Sequence, residues 1–82
     1  MRIDAFLNAV NITKRRTVAQ DMCANKVVLI NSLVVKPSKE VKAGDTIEIK
    51  YLESVKKYKV LEVPTVKTTP KSQKDRYIEE IS

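Results

Sequence analysis

Near the N-terminus, apolar residues recur at the i, i+3, i+4, i+7 spacing that is typical of one face of a helix. These residues are Ile3, Phe6, Leu7 and Val10. After a break at residues 11–13, a second apolar stripe predicts another helix over residues 14–24. Its members are Val18, Ala19, Met22 and Cys23. The first 25 residues therefore predict a helix-turn-helix-like hairpin.

The predicted second helix begins with a run of cations. Thr13 has the chemistry of an N-cap and Asn25 that of a helix end, which places Lys14, Arg15 and Arg16 in the first turn. The helix dipole disfavours a cation there by about 0.3–1 kcal/mol at an exposed site. Three such residues in succession indicate a gain elsewhere, such as phosphate binding by guanidinium groups and backbone amides. A solvated basic face is the alternative.

From residue 27 the apolar pattern predicts strands. Residues 27–30 and 33–35 predict a hairpin around Asn31-Ser32, and residues 46–51 alternate as a half-buried strand does. Turns are expected at Pro37-Ser38 and around Gly44, the one glycine. Residues 58–63 predict a further strand, residues 64–71 an extended linker, and residues 75–81 a short helix.

Together these elements predict the α+β class, with the helical hairpin packed on a small, mostly antiparallel sheet and a C-terminal strand and short helix appended. The chain has 82 residues, of which 43% are hydrophobic, and this is enough for one small core. We expect one domain over residues 1–63, with its core motif in residues 1–50. Residues 64–82 are expected to form a linker and a short C-terminal helix or tail.

Composition excludes most catalytic chemistry. The chain has no histidine, one cysteine and one glycine. It therefore lacks the usual general base, a cysteine set for structural zinc, and the glycines of phosphate-binding loops. A non-catalytic binding protein without metal or cofactor is predicted, and the net charge of +6 favours a polyanionic partner. The lone Cys23 is expected to be a buried thiol, and with no signal-peptide pattern at residues 1–4 we expect a cytoplasmic protein.

Five segments in register resemble the S4 RNA-binding domain, which is named for a small-subunit ribosomal protein. They are residues 1–7, 14–19, 28–31, 36–38 and 41–45. In its length, and in having a strand and a helix appended to this domain, the chain most resembles the heat-shock protein 15 family and its short relatives in ribosome-associated quality control. This resemblance implies binding of structured rRNA, tRNA or both on the ribosome, on large subunits stalled with peptidyl-tRNA. We also expect a monomer with no membrane partner and no small-molecule substrate.

The resemblance places the RNA-binding face on seven residues. They are Arg2, Lys14, Arg15, Arg16, Thr17, Lys36 and Lys39. Additional RNA contacts are expected from Lys26, Lys56, Lys57 and Lys59. The cations Lys67, Lys71 and Lys74 are expected to widen the footprint, and a solubilising tail is the alternative. The family often has glycine where Lys26 stands, and Asn-Gly where this chain has Asn31-Ser32.

Two alternatives stay open on the sequence. One is a protein–protein adaptor whose basic face meets an acidic partner, and the other is a helix-turn-helix DNA-binding regulator. Few polar side chains follow the cations on a face that could contact base edges, whereas structured RNA is recognised largely through its backbone and shape. A steep salt dependence from counterion release would distinguish a nucleic-acid-binding protein from an adaptor.

Overall fold

The structure is a computed structural model that describes residues 1–66 and 68–81. The helices are α1 (Ile3–Ala9), α2 (Arg16–Ala24) and α3 (Lys74–Tyr77), the last preceded by a 3-10 turn at Lys71–Gln73. The strands are β1 (Val28–Ile30), β2 (Leu33–Val34), β3 (Thr46–Lys50), β4 (Val55–Val60) and β5 (Ile78–Glu80). The predicted α+β class is confirmed. No helix among the described residues has the length and apolar character needed to cross a bilayer.

All five strands form one sheet, in the order β2-β1-β3-β4-β5, and every neighbouring pair is antiparallel. The apolar face of α1 supplies the centre of the core, because its four predicted residues are fully buried. They belong to one cluster with Ile30, Ile47 and Ile49 of the sheet. From α2, Ala19 and Cys23 are buried, whereas Val18 is 43% exposed and does not join them.

The predicted start of α2 is wrong. The helix begins at Arg16 with Arg15 as its N-cap, so Lys14 precedes the helix. Thr13 is not the cap, since its hydroxyl donates to the carbonyl of Arg15 at 3.2 Å. The backbone before α2 is bonded to the end of α1 instead, because the amides of Ile12 and Thr13 both donate to the carbonyl of Leu7. Residues 13–15 are therefore used to reverse the chain between the helices.

The predicted end of α2 at Asn25 is confirmed, but the left-handed residue is the next one. Asn25 has φ −82° and Lys26 has φ 62°. The amides of Lys26 and Val27 donate to the carbonyls of Cys23 and Met22, which is the Schellman motif. Helix α1 ends in the same way, with Asn11 at φ 65°.

The turns predicted within the sheet are confirmed. Asn31 and Ser32 have φ 51° and 70°, as a two-residue type I′ hairpin requires, and Ile30 pairs with Leu33 across it. The amide of Lys39 closes the Pro37-Ser38 turn on the carbonyl of Lys36. Gly44 has φ 94° in the turn that precedes β3.

The C-terminal elements differ from prediction. Strand β4 begins at Val55 and ends at Val60, so it overlaps the predicted span of 58–63 but starts and ends three residues earlier. The predicted helix over residues 75–81 is only partly formed, because Ile78–Glu80 is strand β5 and pairs with β4. This pairing buries Ile78 beside Tyr77, which a free four-residue helix could not do.

The segment that was expected to be a linker is attached to α1. Thr69 is buried, and both its amide and its hydroxyl donate to the carbonyl of Ala9, at 3.0 and 2.7 Å. The side-chain amide of Asn11 donates in turn to the carbonyl of Thr69 at 2.9 Å. Lys67, one of the expected RNA contacts, lies outside the described residues.

Candidate nucleic-acid interface

A fully buried carboxylate, that of Asp4, holds two guanidinium groups at the surface. Its Oδ2 lies 3.2 Å from Nη2 of Arg2 and 3.2 Å from Nε of Arg16. Gln20 donates to the same oxygen at 3.1 Å, and the amide of Ala5 donates to Oδ1 at 2.7 Å. Asp4 itself is 0% exposed, whereas the two arginine side chains are 45% and 47% exposed. The carboxylate is thus internal and its cations face solvent.

Local structure explains how these residues meet. Asp4 lies in the first turn of α1, where the helix dipole favours an acid, and Arg2 is the N-cap of that helix. Arg16 and Gln20 are four residues apart and so share one face of α2. Because α1 and α2 pack together, this face of α2 meets the start of α1 at Asp4.

Hydrogen bonding decides the charge of Asp4. Burial acts to raise its pKa, but hydrogen bonds from Gln20, Arg16 and the Ala5 amide, with the charge of Arg16, outweigh burial and lower it. Asp4 is therefore ionised at neutral pH, and one carboxylate faces two guanidinium groups. The cluster carries an excess positive charge, and both arginines have N–H donors left for an anion.

The turn at residues 36–39 lies against the start of α1. Two of its carbonyls accept hydrogen bonds from the first amides of α1. The amide of Ile3 donates to the carbonyl of Lys39 at 2.7 Å, and the amide of Asp4 donates to that of Pro37 at 3.3 Å. Arg2 forms an antiparallel bridge with Glu40. The structure therefore brings two exposed cations of the predicted set, Lys36 and Lys39, beside Arg2.

Glu40 directly follows this turn, and its carboxylate already has a partner. The N-terminal ammonium lies 2.8 Å from its Oε2. The hydrogen bond and the charge of that ammonium lower the pKa of Glu40. It therefore offsets the N-terminal charge and leaves the neighbouring cations available.

The other predicted residues of the first helical turn are exposed around Arg16. They are Lys14 and Arg15 before the helix and Thr17 within it. Among the described residues, no hydrogen bond uses the amides of Arg16 and Thr17. The start of α2 thus offers two backbone donors and a row of cations on one side of the Asp4 cluster. We define the Asp4 surface as the exposed residues Arg2, Lys14, Arg15, Arg16, Thr17, Lys36 and Lys39.

Lys26 is not brought to this surface. It follows the opposite end of α2 from Arg16, and a helix of this length is about 14 Å long. Its backbone is next to the far end of the sheet, since the amide of Lys50 donates to the carbonyl of Val27.

The three lysines of β4 also lie apart, three strands from β2, which corresponds to about 14 Å. Lys56 lies 3.4 Å from Glu80 and Lys57 lies 3.9 Å from Glu48. Lys59 is directly opposite Glu79 on β5. Tyr58 between them is 6% exposed, and it is therefore a core residue rather than a platform for a base.

Two members of the site were not predicted from the sequence, Asp4 and Gln20. The available signal was weak: Asp4 is a single acid that lies one helical turn before Leu7 and so borders the apolar stripe of α1. Gln20 carries no charge and has no local pattern that marks it. Only the packing of the two helices makes both of them partners of the arginines.

Comparison with known proteins adds to this geometry. Residues 1–47, which contain the whole Asp4 surface, match the S4 domain. A Helicobacter pylori protein named RQC P-site tRNA stabilizing factor is 46% identical over 78 residues, covering 95% of this chain and 93% of that protein. The Bacillus subtilis protein of the same name is 32% identical over 73 residues, covering 89% and 81%. The chain belongs to the S4 domain family, among the RQC P-site tRNA stabilizing factors.

Two solved structures share the fold of this chain. Vibrio cholerae Heat Shock Protein 15 superposes with a TM-score of 0.89 at 23% identity, covering all of this chain and 82% of that one. At this identity the likeness concerns the fold. The solution structure of the hypothetical protein HP1423 gives a TM-score of 0.88 at 44% identity, with coverage of 100% and 98%. The S4 match ends before β4, so Lys56, Lys57 and Lys59 belong to the appended part of the chain.

Proposed function

We propose that this chain binds structured RNA on the ribosome through the Asp4 surface and thereby stabilises tRNA in the P site. The observation that carries the proposal is the pair of half-exposed guanidinium groups fixed on one buried carboxylate. Membership of the S4 domain family supports it, as do the relatives named for stabilising P-site tRNA. The role is one of binding, without catalysis or a cofactor.

Preorganisation is the physical basis of this role. A guanidinium group matches phosphate in a bidentate geometry, and holding it in place before binding reduces the entropy that is lost on binding. Arg2 and Arg16 are held by Asp4, and the lysines and amides around them extend the positive surface. Structured RNA presents phosphates in a fixed geometry, so a rigid set of cations suits it better than a flexible tail does.

The remaining features of the function are part of the same proposal. The RNA is rRNA, tRNA or both on the large subunit, including subunits stalled with peptidyl-tRNA, and the protein acts as a cytoplasmic monomer. Lys26, Lys56, Lys57 and Lys59 contact the RNA at the margin of the complex. Their distance from the Asp4 surface suits a long RNA better than a single stem.

Binding to purified large ribosomal subunits at several salt concentrations tests the proposal. Removing one charge-assisted contact with Arg16→Ala should weaken binding by about 1–3 kcal/mol. The slope of log affinity against log salt should fall by about one unit. Arg76→Ala is a matched control, because Arg76 is also an exposed arginine paired through Nε, to Glu62 at 2.9 Å. It should change the affinity much less.

Loss of folding has to be separated from loss of binding. Arg16→Ala leaves a buried carboxylate with fewer partners, so the double variant Asp4→Asn with Arg16→Ala is measured as well. It removes the buried charge together with its cation. If the double variant is folded and binds with wild-type affinity and salt slope, the Asp4 surface is not the RNA site. Equal losses in the Arg16 and Arg76 variants would contradict the proposal too.

A further inference from the structure

A groove of about 710 Å³ follows the outer edge of β2 and is lined by both apolar and cationic side chains. Leu33 and Val34 in this groove are 71% and 52% exposed. Lys36, Lys39 and Lys42 contribute its positive charge. Exposed aliphatic residues in a concave surface often mark a protein interaction site.

The backbone of β2 is open along the same groove. It is the first strand of the sheet and has one neighbour, β1. The amide of Val35 donates to Val28 of β1, so the N–H and C=O of Val34 point the other way. No hydrogen bond among the described residues uses these two groups. An edge of this kind can accept an extended peptide as an additional strand.

The charges of the groove select the sign of such a peptide. Its two acids have partners: Glu40 holds the N-terminal ammonium, and Asp45 accepts from Asn31 at 3.2 Å and from the Lys42 amide at 2.9 Å. Its three lysines form no ion pair with any described residue. The donors to Asp45 are neutral, so its charge remains, but the three lysines outnumber it and leave the groove positive.

We propose that this groove binds an extended acidic segment of a partner protein, which adds to the sheet beside β2. Alternate apolar side chains of the segment pack on Leu33 and Val34, and its carboxylates meet the lysines. The apolar lining and the open strand edge favour a peptide over RNA, which has little use for either. The groove goes beyond the proposed RNA-binding function, although Lys36 and Lys39 belong to both surfaces.

A titration of the ¹⁵N-labelled full chain, without RNA, tests this proposal. The probe is a capped eight-residue peptide in which glutamate and valine alternate, and the comparison peptide has lysine in place of glutamate. The glutamate peptide should shift the backbone amide signals of residues 33–36, 38 and 39. It should also slow the hydrogen exchange of the Val34 amide, which a peptide bound elsewhere would not do.

Two neutral substitutions serve as a matched pair. Leu33→Ser should lower the affinity for the glutamate peptide by roughly tenfold, because one partly buried aliphatic side chain is lost. Leu52→Ser changes a fully exposed leucine outside the groove and should have no effect. Neither residue belongs to the Asp4 surface, so binding to ribosomal subunits should be unchanged in both variants. Loss of peptide binding and loss of RNA binding are thereby measured separately.

Several results would overturn the proposal. They are an unprotected Val34 amide, equal binding of the lysine peptide, and equal weakening by the two serine variants. Shifts of the β2 signals with protein concentration alone would instead identify a second copy as the occupant. Stronger shifts with an eight-nucleotide RNA than with the glutamate peptide would extend the RNA-binding surface into the groove.

Discussion

At the scale of single residues, Asp4 is the feature on which the candidate site depends. A buried carboxylate is costly unless it is paired and hydrogen-bonded, and Asp4 has three side-chain partners and one backbone donor. Its two arginines are about half exposed, so water screens each pair and each contributes less than a fully buried pair. The contribution of Asp4 to stability comes mainly from complete hydrogen bonding and from holding both helices together.

The lowered pKa of Asp4 predicts how stability depends on pH. Its pKa is about 3.8 in the unfolded chain and lower in the folded one, so its contribution is present above pH 3.8 and is lost as the pH falls through the folded pKa. Asp4→Asn should therefore lower the free energy of unfolding near neutral pH. The difference from wild type should shrink in acid, where both side chains are neutral. Urea unfolding of both proteins across the acid range measures it.

Glu40→Gln is the control for this experiment, because the pKa of Glu40 is also lowered, but at an exposed site. The Asp4 effect is expected to be the larger of the two. A difference between wild type and Asp4→Asn that stays constant into strong acid would mean that the carboxylate is not ionised in the folded protein.

At Cys23, burial is opposed by no hydrogen bond from the described residues and changes the pKa in the other direction. Burial, followed by the negative charge of Asp4, raises the pKa of its thiol, so the reactive thiolate is disfavoured. It is 3% exposed, and the prediction of a buried thiol is confirmed.

At the scale of elements, the ends of the helices depend on residues in left-handed geometry. Both α1 and α2 end in a Schellman motif, with Asn11 and Lys26 at positive φ. Asparagine adopts this conformation readily, whereas in lysine the Cβ approaches the backbone and the conformation costs roughly 1–2 kcal/mol. The strain at Lys26 is consistent with its proposed role as a cation at the margin of the RNA, since another residue type would terminate the helix better.

Lys26→Gly should therefore stabilise the fold. We expect the free energy of unfolding to rise by about 0.5–1 kcal/mol, because glycine adopts positive φ without strain but gains entropy in the unfolded chain. Lys26→Ala is the matched control: it removes the same charge but keeps a Cβ, so it should give no such gain. Chemical denaturation of the two variants measures the difference. Equal stabilisation by alanine would assign the effect to charge rather than to the backbone.

At the scale of the whole molecule, the C-terminal segment is integrated with the S4 part of the chain. Strand β5 completes the sheet, Tyr77 and Ile78 join the core cluster, and Thr69 is bound to the end of α1. These contacts connect residues about 60 positions apart, between Thr69 and Ala9. The three lysines of β4 are therefore held at a definite position relative to the Asp4 surface.

Two adjacent threonines test this attachment. Thr69→Val preserves shape but removes the buried hydroxyl that donates to Ala9, and it should lower the free energy of unfolding by about 0.5–1.5 kcal/mol. Thr68→Val is the control, since Thr68 is exposed and should change little. Thermal and urea unfolding of the two variants provide the comparison. Equal stability of the two would show that the hydroxyl of Thr69 does not fix this segment to α1 in solution.

The sequence by itself determined the features that depend on residues close together in the chain. Periods of 3.6 and 2 located the two N-terminal helices and the strands of the S4 part, and Asn31-Ser32 and Gly44 located tight turns. The resemblance to the S4 domain is confirmed by family membership. The helices, strands and turns follow from side-chain pattern and turn chemistry, which need no tertiary contact, whereas the family followed from the resemblance of five short segments.

Only the tertiary structure decided which of the predicted cations act together. Asp4 contacts Arg16 and Gln20 across the helical hairpin. This contact groups the cations of the Asp4 surface, whereas the lysines of β4 lie elsewhere on the sheet. Long-range contact likewise made Ile78–Glu80 a strand, because pairing with β4 outweighs the small intrinsic preference of so short a segment for helix. The start of α2 was decided by the carbonyl of Leu7, which holds the preceding backbone. Such choices depend on burial and partners distant in the chain, so no local pattern of residues encodes them.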